Sequence, residues 1–169
     1  MLVVRKGFVA TVAFLCLGVH AAAADEGATR AAVERLVEAV RSYKDGSKNP
    51  LSAADEAANE RAAKLANSSL AIREVSRTAL GGQWEKLSPA EQTNFVNLVT
   101  ESFETIAYPK SSTFFGDLEV EYKTERIMGE KAVVSTTVRH PKEGLVSIDY
   151  KLERRGSDRT WVIYDILLD

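Results

Sequence analysis

Along residues 28–168 the spacing of apolar positions changes once, from the helical period to a period of two. Ala32, Leu36 and Ala39, with Val33, Val37 and Val40 beside them, predict a helix over 28–43. Asp45-Gly46-Ser47 and Asn49-Pro50 punctuate it. Ser52, with Asp55 three residues on, predicts the start of a second helix reaching about Ala66. That segment is nearly all alanine and charge, with Leu65 its only large apolar residue, so it reads as a surface helix covering others. Asn67-Ser68-Ser69 predicts its end. Leu70, Ile72, Val75 and Leu80 predict a third short helix, stopped by Gly81-Gly82. Trp84 and Leu87 follow in a connecting turn, with Trp84 read as a plug over the join of helices and sheet. Ser88-Pro89-Ala90-Glu91 is the strongest helix start in the chain, with Ser at the cap, Pro at the first position and Glu at the third. This fourth helix should reach about Ala107, placing Phe95, Leu98, Val99, Phe103 and Ile106 on one face. Tyr108-Pro109 is expected to end it, with a loop over 111–116.

Beyond Gly116 the alternation is strict. Leu118, Val120 and Tyr122 alternate with Glu119, Glu121 and Lys123. Ala132, Val134, Thr136 and Val138 form the next run, then Val146, Ile148, Tyr150 and Leu152. The fourth run spans Thr160 to Leu168. Short Gly- and Pro-containing turns between successive strands predict an antiparallel meander, and the alternation predicts one dry face. The last strand is apolar on both faces, so a central or doubly covered position is expected for it. The fold class is therefore α+β: N-terminal helices packed on a curved four-stranded antiparallel meander sheet, able to enclose an apolar cavity.

The front of the chain adds a compartment. Arg5 and Lys6 precede an apolar run from Gly7 to Val19, and Ala22-Ala23-Ala24 offers a small-residue cleavage site before Asp25. This build predicts a cleaved secretory signal over 1–24 and a single domain over 25–169. The alternatives are an anchored N-terminal helix and lipidation at Cys16, against which Leu15 argues. Cleavage removes Cys16, the sole cysteine, so no disulfide is expected. The net charge of −2 becomes slightly more acidic with the loss of Arg5 and Lys6, which gives no footprint for nucleic acid. No metal or cofactor is expected, since His140 has no Cys, His or Asp cluster around it in sequence.

The string Thr78-Ala79-Leu80-Gly81-Gly82-Gln83-Trp84-Glu85-Lys86-Leu87-Ser88-Pro89-Ala90-Glu91-Gln92, with Phe95 after it, resembles the MlaC and toluene-tolerance auxiliary family. Val146-x-Ile148-Asp149-Tyr150-x-Leu152 and Trp161-x-x-Tyr164-Asp165-Ile166 look like that family's sheet pattern. The resemblance implies a periplasmic lipid carrier, exported by its signal. It would shuttle phospholipid, or a hopanoid-type lipid, between an outer-membrane lipoprotein or porin complex and an inner-membrane ABC transporter complex. It also implies a helix-and-sheet domain whose apolar cavity takes acyl chains. Family chains usually continue past the Tyr-Asp-Ile strand into a Ser-Leu-Val and Asn-Tyr-Arg segment and one more helix; this sequence departs from that pattern by stopping at Asp169, so the helix is expected to be absent, with the sequence either a fragment or a shortened member.

A carrier needs apolar lining rather than reactive groups. The dry sheet face supplies Val134, Thr136, Val138, Val146, Ile148, Tyr150 and Leu152, and the fourth helix supplies Phe95, Val99, Phe103 and Ile106. Tyr108, Phe114 and Phe115 could edge the mouth. Each of these side chains is also what ordinary core packing would use. Lys110, Arg139, Lys142 and Lys151 could guide the protein to anionic headgroups, or could be scattered solvated charge. Two other classes stay open: a small isomerase- or dehydratase-like enzyme, with Asp165 as base beside Tyr150 or Tyr164, and a ligand-free docking subunit with a filled core.

Overall fold

The computed structural model describes residues 19–47 and 49–169. The expected signal over 1–24 lies outside the described residues, save that 19–24 begin the first helix. Helix α1 spans Val19–Ser42, α2 Ala53–Ser69, α3 Ile72–Leu80, α4 Pro89–Ser102 and α5 Tyr108–Phe115. Strands β1 (Val120–Met128), β2 (Lys131–His140), β3 (Gly144–Arg155) and β4 (Thr160–Leu168) form one antiparallel sheet in the order β1-β2-β3-β4. The helices cover one face, as the period change predicts. Among the described residues no helix is long and apolar enough to cross a membrane.

Helix α1 is the central rod. It buries Ala32, Val33, Leu36, Val37, Ala39 and Val40. Helix α2 packs along it through Ala62, Ala63 and Ala66, small side chains that allow close approach, while Leu65 points out, 54% exposed. Asn59 fixes their connection: its Oδ1 accepts the Lys44 N–H (2.8 Å) and its Nδ2 donates to the Lys44 carbonyl (2.9 Å). On the sheet, Ala132, Val134, Thr136 and Val138 of β2 pair with Leu152, Tyr150, Ile148 and Val146 of β3 to make the floor of the core.

Helix α2 runs three residues beyond Ala66, because Ser68 and Ser69 return their hydroxyls to the Leu65 carbonyl instead of breaking the helix. Helix α4 starts where its cap predicts. The Ser88 hydroxyl accepts the Glu91 N–H, and the Glu91 carboxylate accepts the Ser88 N–H at 2.8 Å. Its apolar face is shallower than the pattern suggested: α4 has no fully buried residue, and Leu98 is 59% exposed. Trp84 is buried in a tight turn over Gly81–Lys86, beneath the Arg73 guanidinium of α3, outside the main core cluster.

Two expectations are corrected. Tyr108-Pro109 does not end the helical run. A wide turn over Phe103–Ala107, closed by the Tyr108 N–H on the Phe103 carbonyl, carries α4 into α5. Proline lacks a donor and crowds the carbonyl four residues back; one widened turn accommodates both and keeps the chain helical, so 111–115 are helix rather than loop.

The second correction concerns β4, which is an edge strand, not a central one. Its double-sided apolarity has a different cause. The pairing passes from Leu152↔Ile163 to Lys151↔Asp165, leaving Tyr164 as an extra residue. This bulge switches which residues face the helices: Trp161 and Ile163 before it, Ile166 and Leu168 after it. The upper part of the edge is covered by the Leu70–Ala71 segment, whose Ala71 N–H donates to the Ile163 carbonyl at 2.8 Å. A matching irregularity at Lys123 bends β1, so both edges depart from a flat sheet.

Candidate functional site

Between the helix layer and the far half of β3 and β4 lies an apolar cavity of about 510 Å³. Its inner wall is made of side chains that are almost wholly removed from solvent. Leu36, Val37 and Val40 come from α1, Tyr108 and Phe115 from α5, and Ile148, Tyr150 and Ile163 from the sheet. Leu70, Val75, Phe103, Ala107 and Phe114 close the sides. The outer end is formed by Lys110, Ile166 and Leu168, all exposed, and there the cavity opens.

The local structure explains this arrangement. The widened turn sets Phe103, Ala107 and Tyr108 against the cavity rather than continuing the direction of α4. The Tyr164 bulge turns Ile166 and Leu168 inward. An aromatic group stiffens one wall: Phe103 stacks on Tyr108 at 5.8 Å between ring centroids, and Tyr43 leans on Tyr108 at 5.7 Å. The Tyr108 hydroxyl is occupied, donating to Asn67 Oδ1 (2.5 Å), while Asn67 Nδ2 donates to Glu104 (2.7 Å). Burial, helped by the nearby Glu104 charge, pushes the Tyr108 phenol far above its usual range. Burial does the same to Tyr150. Both stay neutral at any ordinary pH, so the wall carries no charge from them.

Of the residues expected from sequence to line a cavity, Phe103, Tyr108, Ile148 and Tyr150 meet at this one. Val134, Val138 and Leu152 are buried in the core beside it, and Val146 packs half-buried against that core. Phe95 and Val99 lie half-buried on α4, away from the cavity wall, and Ile106 is 53% exposed. Phe114 and Phe115 both reach the wall. The contribution of α1 was not anticipated, although its Leu36, Val37 and Val40 stripe was visible; an apolar stripe does not say whether it meets side chains or space.

The polar candidates resolve differently. Asp165 borders the cavity beside Ile166, but its carboxylate pairs across the strands with Lys151 (2.9 Å), with both side chains over a third exposed. A general base held in an apolar pocket is a different environment from this one. His140 stacks on Phe114, and its Nδ1 accepts the N–H groups of Lys142 and Glu143, closing the β2–β3 turn. No cluster of three or more potential metal ligands occurs among the described residues. A second depression, between α1 and β1, is wider but more open and is lined by Glu34, Arg35, Glu38 and Arg41, which suits water better than hydrocarbon.

The family model described as "MlaC protein" matches residues 30–169. No curated protein matches the sequence. Among solved structures, the chain resembles the phospholipid-binding protein from Ralstonia solanacearum in complex with a phospholipid. The identity is 18% and the TM-score 0.54, over 85% of this chain and 79% of that one. At that identity the likeness speaks for the α+β fold.

Proposed function

This chain belongs to the MlaC family, and from that premise we propose that it is a lipid carrier of the periplasm. It takes phospholipid or a hopanoid-type lipid into the cavity between α1, α5 and the sheet. It passes that lipid between an outer-membrane lipoprotein or porin complex and an inner-membrane ABC transporter complex. The observation that carries this reading is the cavity itself, about 510 Å³ of apolar space in a small domain whose interior would otherwise close-pack. Pockets of roughly 300–1,000 Å³ are the usual size for a small-molecule site. The bound phospholipid of the Ralstonia solanacearum protein supports the same ligand class.

Affinity needs no charged clamp. At about 0.8 kcal/mol per buried CH₂, an acyl chain of some ten carbons already contributes about 8 kcal/mol before the costs of binding. An enzyme would need a base held within the apolar wall, whereas Asp165 borders the cavity while paired with Lys151 at 2.9 Å and over a third exposed. A subunit that only docks would need no cavity.

The test is native mass spectrometry of the purified protein, followed by organic extraction. A discrete added mass that extracts as lipid is expected. A protein that stays unliganded after incubation with phosphatidylglycerol vesicles would refute carriage.

A further inference from the structure

We infer that α3 and α4, with the tight turn between them, form a lid over one side of the cavity, pivoting at Ala71 and at the wide turn Phe103–Ala107 and latched shut by Glu74 and Arg155. This rests on the carrier reading above and deepens it, since it names the gate through which lipid passes. The first observation is where the core stops. Leu70, just before this hairpin, and Phe103, just after it, pack against the main core cluster, but no apolar residue from 71 to 102 joins that cluster. The hairpin holds itself together instead. Trp84 is buried under the Arg73 guanidinium, Arg73 donates to Gln92 Oε1 at 2.7 Å, and Gln92 Nε2 donates to the Trp84 carbonyl at 3.2 Å. Helix α4 packs chiefly on α3 and the wide turn, and α3 packs on β4.

The second observation is how the hairpin is attached. Both ends are pinned: the Ala71 N–H donates to the Ile163 carbonyl at 2.8 Å, and at the other end Asn67 holds Glu104 at 2.7 Å and Tyr108 at 2.5 Å. At each end the backbone leaves the regular α-helix. Ala71 sits at φ −82, ψ 61 with no side-chain cap, and Phe103–Ala107 is the wide turn. Such breaks at the ends of elements are where a hinge absorbs its motion. Between the pins one side chain, Val75, reaches the cavity wall. Lifting the hairpin therefore withdraws Val75 from the wall it shares with Leu70 and Phe103 and opens the cavity sideways, while uncovering little of the main core. An ion pair fastens the hairpin to the sheet: the Glu74 carboxylate of α3 accepts from Arg155 at the end of β3 at 3.0 Å, and Arg155 is held in turn by Glu153 at 2.5 Å. With its side chains 24% and 39% exposed, the Glu74–Arg155 pair is weak enough to release.

The test follows uptake of pyrene-labelled phosphatidylglycerol from vesicles, read as loss of excimer emission. Arg155→Met should speed uptake about threefold, as expected of losing a partly exposed pair. Glu153→Gln, which removes the other partner of Arg155 and leaves the latch, should not. In a Cys16→Ala background, Glu74→Cys with Arg155→Cys should take up lipid at the fast rate, nearly lose uptake when joined by a short bismaleimide with a cleavable disulfide, and regain it on reduction. The same reagent joining Arg73→Cys to Gln92→Cys, within the hairpin, should leave uptake free. Hydrogen exchange needs no lipid: the amides of 72–102 should open together, ahead of those of β2 and β3. Undiminished uptake by the protein cross-linked between hairpin and sheet, or protection of 72–102 equal to that of β2 and β3, would overturn the lid and leave lipid carriage standing. Failure of the protein to take up lipid without any cross-link would overturn the carrier reading and the gate with it.

Discussion

Val33 and Val37 lie one turn apart on α1, both almost completely buried, yet only Val37 borders the cavity. Each Val→Ala change removes two methyl groups, a loss of about 1.6 kcal/mol of transfer free energy. Each regains up to about 0.6 kcal/mol of helix propensity, which cancels between the two. At Val33 the deletion also opens a void of about 60 Å³ in packed core, costing about 1.4 kcal/mol more at 24 cal/mol per Å³. At Val37 the space already exists, so that cost is absent. Val33→Ala should therefore destabilise the delipidated protein by about 2.5 kcal/mol and Val37→Ala by about 1 kcal/mol. The difference corresponds to a tenfold change in the folding equilibrium. Urea denaturation followed by circular dichroism measures both, and a shared m-value shows that the unfolded states match. Equal costs, or a larger cost at Val37, would mean that the wall is close-packed and the cavity argument is wrong.

Three further outcomes are expected. Gly81 has φ +52 with open space around its Cβ position, whereas its neighbour Gly82 has no positive φ. Thermal melts should show Gly81→Ala losing about 1–3 kcal/mol and Gly82→Ala neutral or slightly stabilising. Glu74 on α3 is partly desolvated, which alone raises its carboxyl, but hydrogen bonds from Arg155 (3.0 Å) and Arg77 (3.1 Å) outweigh this and hold it below its ordinary 4.5. A depressed carboxyl stabilises above its unfolded value, so the advantage of wild type over Arg155→Met should persist at neutral pH in denaturant titrations. It should fade as pH falls below about 4.5, and an unchanged advantage at acid pH would contradict the pairing. Asp165→Asn should shift stability by less than about 1 kcal/mol, the range of an exposed cross-strand pair, and should leave lipid retention intact in the extraction assay.

The parts of this fold that were legible in sequence are those governed by local chemistry. The Ser88–Glu91 box, the period-two strands and the turn glycines each act within a few residues, and each element stands where its signal lies. The misread places depend on what a local signal meets elsewhere. Pro109 is a helix breaker by its own chemistry, but one widened turn upstream removes the conflict. The two apolar faces of β4 looked like burial on both sides because the bulge, a property of its pairing with β3, carries no residue signature that marks it in advance. The site shows the same division. Tyr150 and Ile148 follow from alternation, whereas Val37 and Ile163 become lining residues only when α1 crosses the sheet without filling the space beneath it.

The extra residue at Tyr164 acts on β4 as a frameshift acts on a message. Upstream of it the odd-numbered residues Trp161 and Ile163 turn inward; downstream the even-numbered Ile166 and Leu168 do. Were the same residues paired without the bulge, strict alternation from Ile163 would turn Asp165 and Leu167 inward and send Ile166 and Leu168 out, setting a carboxylate into a wall that is mostly hydrocarbon. The polarity of the cavity is therefore written partly in the pairing register of a strand, and the loss of one bulge would change which side chains line it without substituting any of them.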